Sequence, residues 1–226
     1  MTRSPLPPLW TRRATLLATV AAMPLLPVSL MGCGTPPPAA ERFAGMPSGT
    51  VATFQRSMSG SYGLGNDQVR WTYAETQWRG QRLLDARNSA GGGTYHDPST
   101  FGIVANLNAA GSPTLSYEPP VALDWPLHVG KAWKSRHTVT LHPSGQTLPY
   151  TSEWRVEAAE TLKVPAGSFE TLRVVRKGSD GETETRWVSQ VPGAPLIKRL
   201  LERSEQHRQG VGQVESELLS YQLPAR

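Results

Sequence analysis

The sequence predicts an all-β fold, organised as a large antiparallel meander of short strands. Turn-forming residues are abundant, with 21 Gly and 20 Pro in 226 residues, and aromatic residues suited to strands are frequent, with 7 Trp and 6 Tyr. Apolar and polar residues also alternate with a period of two in several segments, which is typical of strands that bury one face. Together these observations favour many short strands.

The alternation is clearest in residues 69–73, 133–141 and 150–156. In the first of these segments Val69, Trp71 and Tyr73 are the residues expected to face inward. Clusters of Gly, Pro, Asn and Asp separate such segments along the chain. Further strands are predicted at residues 50–56, 101–107, 113–117, 169–176, 183–188 and 214–221.

Residues 196–208 allow two interpretations. Leu196, Ile197, Leu200 and Leu201 recur at helical spacing, which predicts a helix. The preceding Val191-Pro192-Gly193, however, is typical of a hairpin turn that would return the chain directly onto the strand at 183–188. We favour the strand, and the helix stays open as the alternative.

The first 32 residues have the organisation of a signal peptide. Residues 1–13 contain three arginines and no acidic residue, and an apolar run follows at residues 14–31. This run is shorter than the roughly 20 residues that cross a bilayer, and Pro24 and Pro27 interrupt it. We therefore predict a secretion signal at residues 1–32 rather than a permanent transmembrane helix.

The run ends in Leu30-Met31-Gly32-Cys33, which resembles the lipobox of bacterial lipoproteins. The resemblance implies cleavage before Cys33 and attachment of acyl chains, such as palmitate, that anchor the protein to a membrane. Gly34, where some lipoproteins carry an inner-membrane retention signal, favours the periplasmic face of the outer membrane. Residues 11–17 also resemble a twin-arginine signal, so the general secretory and the twin-arginine routes both stay open.

Residues 33–49 are predicted to be a lipidated, Pro-rich tether, and residues 50–226 the β domain. The tether contains Pro36-Pro37-Pro38 and little that could enter a core, so a semi-extended conformation is expected. Cys33 is the only cysteine, so an intramolecular disulfide is excluded.

The net charge of +5 belongs largely to the signal. Three of the 23 Lys and Arg lie in residues 1–32, which contain no Asp or Glu, so the remaining chain has 20 basic against 18 acidic residues, or +2. No cluster of basic residues with interleaved aromatic residues remains. We therefore predict no nucleic-acid partner.

Two motifs resemble a group of bacterial secreted or lipid-anchored domains of uncharacterised function. They are residues 126–133, Pro-Leu-His-Val-Gly-Lys-Ala-Trp, and residues 164–169, Val-Pro-Ala-Gly-Ser-Phe. The group is similar in fold to the lipoprotein-localisation carriers of the bacterial envelope, which implies a curved antiparallel sheet wrapped as an incomplete β-barrel. The second motif consists of turn residues and a core aromatic, so it indicates a fold rather than an activity.

Residues that carry chemistry are scattered along the sequence. The five histidines show no spacing typical of a metal site, and no catalytic or phosphate-binding motif is present. We therefore predict no cofactor, no metal and no catalytic residue. His96 and Asp97 are the one pair that would suit a hydrolase, although an Asp before a Pro is typical of a turn.

The aromatic residues of a curved sheet face either the core of the protein or an apolar ligand. We select five as candidate ligand-facing residues: Trp71, Tyr73, Trp133, Trp154 and Trp187. The leading hypothesis is a non-enzymatic envelope lipoprotein that binds an apolar ligand or an envelope protein. The alternatives are a structural or assembly lipoprotein with a filled core and, third, a hydrolase that uses His96 and Asp97.

Overall fold

The alternating segments form strands that pair with antiparallel neighbours. A computed structural model of the protein describes residues 39–225, and these residues contain fourteen strands and no helix. The predicted signal peptide, Cys33 and residues 34–38 of the predicted tether lie outside the described residues. A helix long and apolar enough to cross a membrane is not found within residues 39–225.

The strands have the following bounds in chain order: β1 Ala39–Ala40, β2 Val51–Gly60, β3 Gly65–Trp78, β4 Gln81–Asn88, β5 Gly93–His96, β6 Ile103–Leu107, β7 Pro113–Val121, β8 Leu127–His128, β9 Ala132–Leu141, β10 Thr147–Val164, β11 Gly167–Gly178, β12 Glu182–Ser189, β13 Leu196–Arg203 and β14 Gly212–Gln222.

Twelve of these strands form a closed barrel in the order β10-β11-β12-β13-β14-β2-β3-β4-β5-β6-β7-β9. Pairing between β9 and β10, from Ala132 with Arg155 to Thr140 with Thr147, closes the ring. The remaining two, β1 and β8, form a separate two-stranded sheet. The predicted all-β, curved antiparallel fold is thus confirmed, and the sheet that was expected as an incomplete barrel closes on itself.

All nine strands predicted outside the disputed segment are present, most of them longer than expected. The sequence missed four strands, the two-residue β1 and β8 as well as β4 and β5, and β1 lies within the predicted tether. In β4 the consecutive residues Leu83 and Leu84 are both buried, Leu84 in a cluster with Phe54 and Leu83 in a separate cluster with Tyr95. A strand with apolar residues on both faces does not show the alternation on which the prediction depended.

The disputed segment is a strand, β13, as favoured, and the helix is wrong. Val191 and Ala194 form a turn, with the Ala194 amide donating to the Val191 carbonyl over 3.0 Å, and β13 returns along β12. The register shifts where Trp187 pairs with Lys198 but Val188 pairs with Leu196, which leaves Ile197 as the extra residue of a β-bulge. At the bulge two consecutive residues contribute to the interior, Leu196 in the cavity wall and Ile197 in an apolar cluster, which interrupts the alternation and produces the apparent helical spacing.

Two apolar clusters contribute to the interior of the barrel. In the first, Trp154 is 2% exposed and stacks on Trp133 with ring centroids 5.4 Å apart. The second contains Leu218, Ile197 and Phe54. The two clusters draw on different sets of strands, and both include residues of β10 and β11.

Candidate functional site

A cavity of about 340 Å³ lies inside the barrel. Its wall includes members of both apolar clusters, among them Phe54 from the second and Val188 from the first. Such a volume falls at the lower end of the range of small-molecule sites, which is roughly 300 to 1,000 Å³. Most of the lining side chains are aromatic or aliphatic, including Phe43, Met58, Trp71, Tyr73, Phe101, Ile103, Leu123, Trp125, Leu196, Leu201 and Val214.

Charged side chains reach the same wall because of the two-residue period of the strands. Successive side chains of a strand point to opposite faces, so Glu184, Arg186 and Val188 share the inner face of β12. On β13, Arg199 and Leu201 line the cavity in the same way. The cavity is therefore apolar over most of its surface and charged along β12 and β13.

Three stacked rings form one part of the wall. Phe101 lies over the His96 ring, with centroids 4.2 Å apart and planes at 8°, and over Phe43, with centroids 5.2 Å apart. Phe101 has a φ of 59°, in the left-handed region that a bulky residue enters only at a cost of about 1 to 3 kcal/mol. The stacking partners on both sides hold it there. This part of the wall depends on a loop, not on a strand as predicted for residue 101.

His96 is buried against this stack and is neutral. Its Nδ1 lies 3.0 Å from the Phe101 carbonyl oxygen, which only accepts, so Nδ1 carries the proton. Its Nε2 then accepts from the Thr94 hydroxyl over 2.6 Å. Burial lowers the pKa of His96 to about 4, and the nearby charges of Arg186 and Arg199 act in the same direction. Both ring nitrogens thus have partners in the structure.

Asp97 serves the turn that follows β5. Its Oδ1 accepts from the backbone amides of Ser99 and Thr100, both over 2.9 Å, and from their hydroxyls. The carboxylate is therefore committed to a turn, as is common for an Asp before a Pro. The structure does not bring His96 and Asp97 together as the base and orienting carboxylate of a hydrolase, because His96 Nδ1 donates its hydrogen bond to the Phe101 carbonyl oxygen and not to Asp97.

Glu184 is the centre of an ionic cluster in the cavity wall. It is 1% exposed and accepts from Arg176 Nε over 2.9 Å, Arg186 Nη2 over 2.8 Å and Arg199 Nε over 2.5 Å. Burial alone would raise the pKa of Glu184, but the positive charges of Arg186, Arg199 and Arg176 outweigh burial and hold the pKa well below its usual range. Glu184 is therefore ionised.

Glu182 extends this cluster towards Tyr62, another residue of the cavity wall. It accepts from Arg176 Nη2 over 2.8 Å and from the Tyr62 hydroxyl over 2.6 Å, and Arg203 Nε lies 3.9 Å away. Burial and the hydrogen bond to Glu182 raise the pKa of Tyr62 above its ordinary value, so the phenol keeps its proton. The cluster as a whole contains four arginines and two glutamates.

Trp125 also lines the cavity and brings a hydrogen-bond donor to it. Its Nε1 is buried and has no acceptor within the described part of the chain. A buried donor without an acceptor costs about 1 to 3 kcal/mol, so this N–H is available to a polar atom of a ligand.

The five aromatic residues selected from the sequence lie in different places. Trp71 and Tyr73 line the cavity. Trp154 donates its indole N–H to Ser152 over 2.9 Å and stacks on Trp133 in the first apolar cluster. Trp187 is on the opposite face of β12 from Glu184 and Arg186, where it donates to Glu160 over 2.8 Å.

Sequence reasoning missed Arg186, Arg199 and Glu184. A usable signal was present in β12. The buried Val188 lies an even number of residues from Glu182, Glu184 and Arg186, which places all four on one face of the strand. The large aromatic Trp187 lies on the other face of β12 and suggested the opposite assignment of faces.

Within residues 39–225 no three His, Cys, Asp or Glu side chains come close enough to hold a metal ion.

No protein-family model and no curated protein matches the sequence. Three solved structures are similar to it over about four fifths of its length. A protein from Bacteroides fragilis, described as exported and as having a YmcC-like fold, is 12% identical with a TM-score of 0.44, over 81% of this chain and 99% of that chain.

A second structure, from Parabacteroides distasonis and described as a lipoprotein, is 12% identical with a TM-score of 0.37, over 80% of this chain and 99% of that chain. The third, the hypothetical lipoprotein YmcC from Escherichia coli, is 11% identical with a TM-score of 0.39, over 77% of this chain and 85% of that chain. The descriptions of these proteins name no ligand, partner or activity.

Proposed function

We propose that the protein is a non-enzymatic lipoprotein of the bacterial cell envelope, anchored through Cys33, whose barrel binds an apolar ligand in its interior. The observation that carries the proposal is the cavity of about 340 Å³ with its aromatic and aliphatic wall. An empty apolar cavity of roughly 150 Å³ already accommodates benzene. The cavity of this barrel has about twice that volume and suits a small ligand or one alkyl chain.

The number of strands supports the same function. A barrel of about eight strands has an interior that side chains alone can fill, and the diameter grows with the number of strands. The barrel of this protein has twelve strands, and a cavity of about 340 Å³ is left beside its two apolar clusters. Each ligand methylene that enters such a space contributes about 0.8 kcal/mol to binding.

A partner protein is the second candidate for what is bound. Leu64 and Val211 are 87% and 58% exposed and lie in neighbouring turns, since Val211 accepts from the Ser61 amide over 2.9 Å. Exposed apolar side chains at one end of the barrel suit contact with another envelope protein. A structural or assembly role is in turn supported by the closely packed cluster around Trp154. If the Cys33→Ser chain binds no apolar probe, these roles take precedence.

Ligand binding is tested with the Cys33→Ser chain, which cannot form the thioether to lipid and keeps every residue of the barrel. The probe is N-phenylnaphthylamine, whose fluorescence rises in apolar surroundings. We expect saturable binding to the Cys33→Ser chain. Leu201→Trp should weaken it by at least about tenfold, because Leu201 lines the cavity and the larger indole would occupy space that the probe needs.

The matched control is Leu200→Trp, because Leu200 is adjacent in β13 but points to the opposite face. This variant should bind the probe like the parent. Circular dichroism and urea unfolding establish that both variants are folded. Equal probe binding by both variants would mean that the probe binds outside the barrel, and the proposed function would fail.

The anchor is tested on protein purified from its own membranes. Mass spectrometry should find an N-terminal peptide that begins at Cys33 and carries a diacylglycerol and an amide-linked acyl chain. Separation of inner and outer membranes should place the protein in the outer-membrane fraction. A chain that begins at another residue, or that has a free Cys33 thiol, would contradict the anchor.

A further inference from the structure

We infer that the ligand of this cavity is an amphipathic anion, a single alkyl or acyl chain whose carboxylate or phosphate group pairs with Arg186 and Arg199. This ligand class presupposes the proposed binding function and adds a charged head to the apolar tail.

Arg186 and Arg199 are direct cross-strand partners on β12 and β13, and both line the cavity. Like charges at such positions repel, since the Cβ atoms of directly opposite residues are about 5 Å apart. Glu184 lies between them, with Oε2 bound to Arg186 and Oε1 bound to Arg199. One carboxylate balances one of the two guanidinium charges.

The surrounding residues do not supply the missing negative charge. Arg176 donates to the same Glu184 carboxylate, so Glu184 is shared by three arginines. With Arg203 and Glu182 included, four positive charges face two negative charges, an excess of two.

The next carboxylates are committed elsewhere. Asp67 binds Arg56 through both oxygens, over 2.8 and 2.5 Å. Asp180 is exposed in the turn before β12, where solvent screens its charge. An anion in the cavity would therefore meet a positive potential that the protein itself leaves uncompensated.

The geometry also provides free donors. A guanidinium has five N–H groups, and Arg186 and Arg199 each use one nitrogen in their bond to Glu184. Within the described residues no further acceptor is bonded to either side chain, and both border the cavity. Two neighbouring guanidinium groups match the oxygens of a carboxylate or phosphate, for which Arg has a particular preference.

The apolar part of the wall favours a ligand that has a hydrocarbon tail as well as an anionic head group. Leu201 and Val214 lie beside the arginines, and Ile103, Leu123 and Trp125 complete the cavity. A small inorganic anion would leave this surface uncovered. A neutral apolar ligand would cover it but would desolvate Arg186 and Arg199 without adding to the one counter-charge that Glu184 supplies, which is unfavourable for buried ions.

The test compares three ligands with the same tail, decanoate, decyl phosphate and decanol, by displacement of N-phenylnaphthylamine from the Cys33→Ser chain. We expect at least one of the anions to bind about 10- to 100-fold more tightly than decanol, the range of a charge-assisted hydrogen bond. The tighter of the two anions identifies the head as a carboxylate, as in a fatty acid, or as a phosphate, as in a single-chain phospholipid.

Arg186→Gln should abolish most of this preference while decanol still binds. The matched control is Lys198→Gln, since Lys198 neighbours Arg199 on β13 but points outward to Glu215 and Glu217. The control should keep the preference. If Arg186→Gln does not fold, Arg199→Lys keeps the charge and removes the planar fork, and it should reduce the preference.

The outcomes separate the two proposals. If decanol displaces the probe as well as both anions do, the cavity binds apolar ligands but the anionic head is wrong. If the probe itself does not bind, the proposed function fails and the ligand class with it. If Arg186→Gln keeps the full preference, the anion pairs elsewhere and the assignment to Arg186 and Arg199 is overturned.

Discussion

Glu184 shows how a single buried carboxylate organises one side of the barrel. Its side chain is almost completely buried, yet it is ionised because three arginines donate to it. Removing one partner of a buried ion pair leaves an uncompensated charge and typically costs about 3 to 5 kcal/mol. The cluster therefore contributes to folding as well as to the wall of the cavity.

His96 makes stability depend on pH. Its pKa is about 4 in the folded protein against an ordinary 6.5, because burial disfavours the charged ring. Between these values the unfolded chain binds a proton that the folded chain does not. The stability from neutral His96 is therefore complete above pH 6.5 and is lost as the pH falls towards 4.

We expect the free energy of unfolding to fall by about 2 kcal/mol between pH 7 and pH 5 through His96 alone. The measurement is urea unfolding at both pH values. His96→Gln is the control, since its amide can donate to the Phe101 carbonyl and accept from Thr94 without titrating. The same loss in His96→Gln would show that other groups cause the pH dependence.

At the level of elements, the turns between strands impose tight contacts on the backbone. Gly60 ends β2 with a φ of 61°, and a Cβ at this position would lie 2.3 Å from the Val211 carbonyl oxygen. Backbone atoms cannot move aside as a flexible side chain can. The β2 end therefore packs against the turn before β14 only when residue 60 is glycine.

Gly60→Ala should destabilise the protein by about 2 to 4 kcal/mol, from left-handed backbone strain and overpacking together. Gly210→Ala separates the two causes, because Gly210 has a φ of 79° but open space where its Cβ would be. It should cost about 1 kcal/mol, from strain alone. Urea midpoints of the two variants measure the difference, and equal midpoints would contradict the steric contribution.

The whole molecule is a ring of twelve strands, and its cavity follows from that closure. Phe54 on β2, Ile103 on β6 and Val188 on β12 belong to distant parts of the chain, and the barrel brings them to one wall. An open sheet would expose the same side chains to solvent. The proposed ligand would in turn stabilise the barrel, since a ligand at 100 times its Kd adds about 2.7 kcal/mol to the free energy of unfolding.

Local sequence patterns were sufficient to assign most of the strands. Alternation identified strands such as β9 and β14 because one buried face repeats every second residue, and the turn at Pro192-Gly193 correctly favoured a strand for β13. Local patterns failed at β4, where Leu83 and Leu84 are buried on opposite faces. They also failed at Phe101, which a left-handed loop conformation places against His96.

The sequence identified aromatic residues that could line the cavity, but it did not show on which face of each strand they lie. Trp71 and Trp187 both stand in alternating strands, yet Trp71 lines the cavity whereas Trp187 binds Glu160 on the opposite face of β12. Alternation defines two faces of a strand, and packing against the rest of the chain selects the inner one. The pairing of Arg186 with Arg199 across Glu184 likewise depends on the register of β12 and β13, a long-range property that local sequence does not encode.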